Sequence, residues 1–123
     1  MRFANIVLVA IALGATPQGT TAFARGIKSC KEPVAGSNKA PLISPPHGNV
    51  VIGTGRLQFY SAPSVHCAMR GVFVVPGDTL ISYAETNDGW VSVMYESPRS
   101  ANSVMGWVRG HRLRDSGTVG PTQ

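Results

Sequence analysis

The chain has 123 residues, of which 43% are hydrophobic and 14% charged, and its formal net charge is +5. This length allows one domain, and the low charged fraction argues against a disordered polyelectrolyte, so a large multidomain enzyme and a protein with several membrane spans are excluded. Glycine and proline contribute 14 and 9 residues, which is typical of short strands joined by turns rather than of a helical bundle.

Residues 1–24 are predicted to be a secretory signal peptide. Arg2 supplies the short basic start, an apolar run extends from Ile6 to Leu13, and Ala22-Phe23-Ala24 provides the small residues of a cleavage site. The apolar run is too short to cross about 30 Å of hydrocarbon, so we expect cleavage before Arg25 rather than a membrane anchor.

The predicted exported product has 99 residues and a net charge of +4. Lipidation at Cys30 is the main alternative, but Lys28 and Ser29 before it fit a lipid-acceptor site poorly. We therefore expect a periplasmic or secreted protein without a membrane span. A net charge of +4 over 99 residues is too low to indicate nucleic-acid binding, so we expect no nucleic-acid partner.

Residues 25–47 are predicted to form an irregular N-terminal arm. The segment has no strand or helix periodicity and contains four prolines: Pro33, Pro41, Pro45 and Pro46. Because His47 directly follows two of these prolines, we expect it in a turn.

Cys30 and Cys67 are the two cysteines of the chain, and an even count in an exported protein favours a disulfide bond. Such a bond would close a loop of about 37 residues and stabilise the fold by roughly 3–4 kcal/mol in the chain-entropy treatment. Intermolecular pairing and a catalytic thiol beside His66 are the alternatives. Adjacent residues of a strand point to opposite faces, so His66 is not thereby a general base for Cys67.

Short apolar runs separated by glycine, proline, aspartate or asparagine begin at Gly48 and predict an all-β domain over residues 48–115. Five strands are predicted: Val50–Tyr60, Gly71–Val75, Thr79–Ala84, Trp90–Tyr95 and Val104–Val108. Gly53-Thr54-Gly55 is a candidate interruption of the first strand. Pro76-Gly77-Asp78 and Asn87-Asp88-Gly89 indicate turns, and Glu96–Ser103 is a polar loop. Residues 116–123 are expected to be a flexible tail.

Four segments in order resemble a bacterial SH3-like domain. They are Leu57–Pro63, Val75–Asp78, Asp88–Val93 and Gly106–Val108, the last followed by Leu113. The resemblance implies a small SH3-like β-barrel of about five strands, with a disulfide-tethered N-terminal arm. The sequence departs from the family pattern at two places. Gln58-Phe59-Tyr60 replaces an Asn-Val-Arg type opening, and the Glu96–Ser103 loop is longer than is typical. If Cys67 pairs with Cys30, the arm crosses the first long loop and partly covers the usual binding surface.

Aromatic side chains line the grooves of such barrels, so the resemblance implies a ligand site. The candidate ligand-binding residues are Tyr60, Pro63, Trp90, Tyr95 and Trp107. Packing is the alternative for Trp90, Trp107 and Tyr95, and a turn is the alternative for Pro63. Tyr60 alternates with Phe59 and is expected to face away from the core.

A basic cluster near the C-terminus is a second candidate surface. It consists of Arg109, His111, Arg112 and Arg114, and it suits wall-peptide carboxylates, acidic lipid or an acidic partner. A solvated chain end is the alternative. His47, His66 and His111 lack the spacing of metal ligands, so no metal and no cofactor are expected. The acidic residues are dispersed and no G-x-S-x-G context exists, so we do not expect an enzyme or any catalytic residue.

These features predict a non-catalytic exported binding module of the cell envelope that recognises peptidoglycan or a wall-associated peptide. The first alternative is a periplasmic inhibitor or immunity protein that binds a toxin or wall hydrolase. A structural subunit or a host-directed secreted factor is the second. The expected partner is therefore peptidoglycan or an envelope protein, with no oligomeric state implied.

Overall fold

The computed structural model describes residues 29–119, and seven strands of this part of the chain form one antiparallel sheet. The strands are β1 (Leu42–Val51), β2 (Leu57–Tyr60), β3 (Ala68–Val74), β4 (Thr79–Glu85), β5 (Trp90–Glu96), β6 (Ser103–Arg109) and β7 (Leu113–Thr118). Their order is β3-β2-β6-β5-β4-β1-β7, and β3 and β7 are open edges. The all-β prediction is confirmed, with seven strands in an open sheet rather than five in a barrel. The predicted signal peptide and residues 120–123 of the predicted tail lie outside the described residues.

One short 3-10 helix, Gly110–Arg112, joins β6 to β7. Within residues 29–119, no helix is long and apolar enough to cross a membrane.

The sheet is strongly coiled although it does not close. Strands β3 and β4 are four positions apart in the sheet, which would separate them by about 19 Å if the sheet were flat. The two strands are nevertheless joined by the Val75–Asp78 turn, in which the amide of Asp78 donates to the carbonyl of Val75 at 3.0 Å. Such a turn holds its ends within about 7 Å. The edge strand β3 therefore curls back toward β4.

The concave face of the coiled sheet encloses the main core. Its buried residues come from strands β1 to β6: Val51, Leu57, Phe59, Val74, Leu80, Val91, Val93 and Val108. Val91 and Val93 alternate along β5, as predicted from the sequence, because alternate strand residues share a face. Tyr95 continues this face and packs half-buried against the same core.

Strand β1 begins at Leu42, inside the segment predicted to be irregular. Its pairing with β4 jumps from Leu42 opposite Ala84 to His47 opposite Ser82, so the intervening prolines fall in a bulge where no ladder N–H is required. His47 accordingly lies in a strand and not in a turn. The sequence pattern missed β1 because proline normally marks a break in a strand.

Strand β7 extends through Thr118, whereas the chain was predicted to be a flexible tail from Ser116. It pairs with β1 alone, and Ser116 is bulged out between the pairs Gly117–Gly48 and Asp115–Asn49. A glycine near a bulge on an edge strand is compatible with pairing.

The predicted strand Val50–Tyr60 is interrupted at the candidate Gly53-Thr54-Gly55 site. Strand β1 ends at Val51 and β2 begins at Leu57, with Gly53 and Gly55 at positive φ between them. Both predicted turns are confirmed, with Gly77 at φ 95° and Gly89 at φ 90°, backbone conformations that glycine adopts without steric cost.

Candidate functional site

Three of the predicted binding residues lie together on the convex face of the sheet. Tyr60, Trp90 and Trp107, with Ala40 and Ala84, form what we call the aromatic cluster. Register explains the grouping, since Tyr60 pairs with Trp107 across β2 and β6. The Tyr60 and Trp90 rings meet edge to face with centroids 4.8 Å apart, a favoured geometry for aromatic pairs.

A bulge in β4 adds a small residue to this cluster. The register between β4 and β5 shifts between Ser82 and Ala84. Ser82 therefore faces the concave side opposite Val93, whereas Ala84 faces the convex side opposite Ser92. The alanine leaves room for the large rings beside it.

The part of the predicted N-terminal arm that precedes strand β1 covers the aromatic cluster. From here on we call this segment, residues 29–41, the arm. The disulfide bond between Cys30 and Cys67 is present, with Cα atoms 5.7 Å apart, so the predicted bond is confirmed and neither cysteine is a free thiol. Beyond it, the indole Nε1 of Trp107 donates a 2.8 Å hydrogen bond to Glu32 Oε1. Ala40 is fully buried against the rings. Trp90 and Trp107 are each only 3% exposed, so the arm takes the place that a ligand would need on the rings.

A cleft of about 550 Å³ lies beside the aromatic cluster, and we call it the arm cleft. Its lining combines the arm, the β2–β3 loop and the β4–β5 turn: Lys31, Glu32, Pro33, Lys39, Pro63, Thr86, Asn87 and Asp88. Glu32 and Thr86 each connect it to a tryptophan, since Glu32 bonds Trp107 and Thr86 Oγ1 accepts from the Trp90 amide at 3.1 Å.

Hydrogen bonds within the β4–β5 turn fix the polar groups that line the arm cleft. Thr86 Oγ1 donates to Asp88 Oδ1 at 2.6 Å, and the amide of Gly89 donates to the Thr86 carbonyl at 3.1 Å. Asp88 was predicted to be only a turn residue, yet its carboxylate also lines the cleft.

The charges around the arm cleft are of both signs. Lys31 and Lys39 supply two ammonium groups, and Glu32 and Asp88 supply two carboxylates. Pro33 and Pro63 add apolar surface. The arm cleft therefore places charged groups of both signs next to apolar surface.

Of the remaining predicted site residues, Pro63 lines the arm cleft. Tyr95 belongs neither to the aromatic cluster nor to the arm cleft. Tyr95 packs against the main core on the concave face. This position fits the packing alternative for Tyr95, and the structure does not bring it near the other aromatic candidates.

The predicted basic cluster is divided among different contacts. The Arg109 guanidinium lies over the Trp90 ring, 4.6 Å from its centroid, a cation–π contact that stabilises the aromatic cluster. Arg112 donates through Nε to the Ile52 carbonyl at 2.6 Å and through Nη2 to the Gly55 carbonyl at 2.7 Å, so it holds the β1–β2 connection in place. His111 and Arg114 are exposed.

The structure also reveals a polar pocket of about 240 Å³ that the sequence analysis missed. His47 and Asp115 lie on its rim, with His47 Nδ1 and Asp115 Oδ2 2.8 Å apart. The Asp115 carboxylate accepts a hydrogen bond from the backbone amide of Gly117, and it also hydrogen-bonds the His47 side chain. Both contacts lower the pKa of Asp115 below its ordinary range, and the Gly117 contact has the larger effect. His47 and Asp115 are 68 residues apart in the chain. The sequence feature that could have indicated this pocket is the alternation of His47, Asn49 and Val51, which places their side chains on one face of a strand.

No group of three or more histidine, cysteine, aspartate or glutamate side chains within residues 29–119 is placed to hold a metal ion.

Comparisons with known proteins add no relative: no family model matches the chain, and no curated protein or solved structure matches it.

Proposed function

We propose that the protein is a non-catalytic exported binding module of the cell envelope that recognises peptidoglycan or a wall-associated peptide through the arm cleft. The observation that carries this proposal is the lining of that cleft, where two lysines and two carboxylates surround two prolines. Its volume of about 550 Å³ falls within the usual range for small-molecule and peptide pockets.

The chemistry of wall peptides matches this lining. Their stem peptides carry free carboxylates and, at diamino-acid residues, an ammonium group. Lys31 and Lys39 can pair with the carboxylates, while Asp88 can accept from the ammonium. Pro63 and Pro33 then contact the aliphatic parts of the ligand.

One further observation supports an envelope location, and another supports a binding role. The Cys30–Cys67 disulfide is expected to persist outside the reducing cytosol, which agrees with the predicted signal peptide at residues 1–24. The resemblance of the four segments between Leu57 and Leu113 to bacterial SH3-like domains supports a binding role. In this chain the proposed ligand site is moved from the aromatic face, which the arm covers, to the cleft beside it.

The proposal is tested by sedimentation with purified sacculi. The disulfide-bonded protein should pellet with the sacculi at low salt, and the double variant Lys31→Ala/Lys39→Ala should be recovered mainly in the supernatant. Both lysines are exposed, so their replacement should leave the fold intact.

The matched control is Arg70→Ala/Arg99→Ala, which removes the same charge from exposed positions outside the cleft. It should pellet like the wild-type protein. Equal loss of binding in both double variants would indicate nonspecific charge attraction, and failure of the wild-type protein to pellet would refute the proposal.

A periplasmic inhibitor or immunity protein is the second candidate function. The observation that favours it is the exposure of apolar side chains close in sequence to the disulfide: Val34 is 76% exposed and Val65 is 66% exposed. The Cys30–Cys67 bond joins the two segments that carry these valines, and a contiguous apolar surface formed there would be typical of a protein interface.

This second function is tested by affinity purification from the native envelope followed by an inhibition assay. A captured toxin or wall hydrolase should be inhibited by the purified protein, and Val34→Asp/Val65→Asp should relieve the inhibition. Met105→Asp is the control, since Met105 is 60% exposed on strand β6. Inhibition that survives the valine substitutions would argue against this surface.

A further inference from the structure

The polar pocket lies on the concave side of the sheet, over the neighbouring strands β4, β1 and β7. It is separate from the arm cleft. Its polar lining consists of His47, Asn49, Ser82, Glu85 and Asp115. These residues come together because His47 pairs with Ser82 and Asn49 pairs with Asp115, so cross-strand neighbours place their side chains on one face.

The pocket carries a net negative charge whatever the protonation state of its histidine. Within residues 29–119, its ionisable lining side chains are Glu85, Asp115 and His47. Two carboxylates face one imidazole, and that imidazole is already bonded to Asp115 at 2.8 Å. An anionic ligand is therefore disfavoured and a cation is favoured.

Asn49 is a largely buried residue whose side-chain oxygen adds a further acceptor to this pocket. Asn49 is 8% exposed, and its amide nitrogen donates to Ser82 Oγ. Within residues 29–119 its side-chain oxygen receives no hydrogen bond, although it is not sealed from solvent. This oxygen can therefore accept a hydrogen bond from a ligand in the pocket in place of one from water.

We propose that the polar pocket binds a primary ammonium group on a short aliphatic stem. The ammonium would donate to the Asn49 oxygen and to the carboxylates of Glu85 and Asp115. The stem would contact the apolar wall formed by Ile43, Val91 and Leu113. A volume of about 240 Å³ admits an alkylamine or one lysine side chain and excludes a folded domain.

This inference is independent of peptidoglycan binding, because the two clefts share none of their lining residues. The experiment is a titration of the ¹⁵N-labelled, disulfide-bonded protein followed by ¹H–¹⁵N NMR. n-Butylammonium and N-acetyl-lysine N-methylamide are the probes, with n-butanol and butyrate as neutral and anionic controls. The ammonium probes should produce saturable shifts at the amides of Asn49, Val91 and Leu113.

The two ammonium probes distinguish the source of the ligand. Tighter binding of the lysine derivative assigns the pocket to a peptide side chain, and tighter binding of butylammonium assigns it to a free small amine. Either result supports the proposal.

Glu85→Gln should weaken the ammonium probes at least tenfold, and Glu85→Lys should abolish their binding by placing an ammonium in the pocket. Glu85 is exposed, so both variants should keep the wild-type spectrum elsewhere. Asp88→Asn in the arm cleft is the matched control and should bind as the wild-type protein does. Equal shifts with n-butanol or butyrate, or unchanged affinity in Glu85→Gln, would overturn the proposal.

Discussion

Gly106 determines how closely strands β2 and β6 approach each other. A Cβ atom at this position would lie 3.0 Å from Phe59 Cδ2 and 3.0 Å from the Tyr60 carbonyl oxygen. Because the carbonyl is backbone, it cannot rotate away as a flexible side chain would. We expect Gly106→Ala to lower the free energy of unfolding by about 1–3 kcal/mol, as overpacking does in other cores. Urea unfolding followed by tryptophan fluorescence measures the change.

The neighbouring Met105 is the control for this substitution. It is 60% exposed on the same strand, so Met105→Ala should change the free energy of unfolding by no more than about 0.5 kcal/mol. A similar loss in both variants would show that β6 is sensitive to any substitution, and that the close approach at Gly106 is not the cause.

The contact between His47 and Asp115 predicts a pH dependence on the acid side. Hydrogen bonds from the Gly117 amide and from His47 lower the pKa of Asp115 in the folded protein. The ionised carboxylate therefore stabilises the fold above about pH 4, the range of an unfolded aspartate, and this contribution is lost as the pH falls through the lower folded pKa. Asp115→Asn should be less stable than wild type near neutral pH, and the difference should narrow below about pH 4.

Urea unfolding of both proteins between neutral pH and about pH 2 tests this linkage. Because Asp115 is exposed at the rim of the pocket, solvent screening keeps its contribution small. A difference between the two proteins that grows on acidification would contradict the expected sign.

At the scale of elements, the arm is a second layer on the convex face of the sheet. Its attachments are the Cys30–Cys67 bond, the hydrogen bond from Trp107 to Glu32 and the burial of Ala40. Only the first is covalent. The arm should therefore loosen before the sheet does when the disulfide is removed.

We expect Cys30→Ala/Cys67→Ala to lower the free energy of unfolding by roughly 3–4 kcal/mol, the loop-closure contribution of a 37-residue separation. Acrylamide quenching should increase at the same time, because Trp90 and Trp107 become accessible when the arm lifts. Alanine is chosen because Cys67 is buried and a serine hydroxyl there would add a desolvation cost.

Cys30→Ala alone is the companion variant, since it breaks the bond while keeping the buried Cys67 side chain. Under conditions where both variants are folded, it should show the same rise in quenching. Quenching that stays at the wild-type level would show that Glu32 and Ala40 hold the arm without the bond.

The central strands β4, β5 and β6 could be predicted from sequence because each has a regular pattern bounded by a strong turn. Thr79–Ala84 and Trp90–Tyr95 differ from the observed strands by one residue. Strand β1 could not be predicted except for its last two residues, Val50 and Val51, because its prolines are accommodated by a bulge that depends on the position of β4. Strand β7 depends in turn on β1, its one partner in the sheet, so missing one strand meant missing both.

At the scale of the whole molecule, the sequence identified the aromatic cluster but not the cleft beside it. Tyr60 and Trp107 carry local signals, namely alternation with Phe59 and the Gly106-Trp107-Val108 motif. Lys31 and Lys39 carry no such signal, because they line the same cleft as Asp88 only once the disulfide has fixed the position of the arm. The polar pocket was missed for the same reason, since His47 and Asp115 meet through two strands absent from the prediction.

The open sheet predicts an uneven resistance to local unfolding. Strand β5 is paired on both sides, with β4 and with β6, and it carries Val93, which is fully buried. Strand β7 has one neighbour and exposed side chains after Leu113. Native-state hydrogen exchange should therefore find the slowest amides in β5, which open only with global unfolding. The amides of β7 after Leu113 should exchange fast, because their exposed side chains do not contribute to the main core.

This order of exchange also tests how β1 is stabilised. The amide of Val51 donates to the Asp78 carbonyl at 2.9 Å, and the amide of Gly77 donates to the Val51 carbonyl at 2.8 Å. These bonds do not involve β7, so β1 amides near Val51 should remain protected while those of β7 exchange. Exchange of β1 and β7 at one common rate would mean instead that the two strands open as a single unit and that the polar pocket between them opens with each such event.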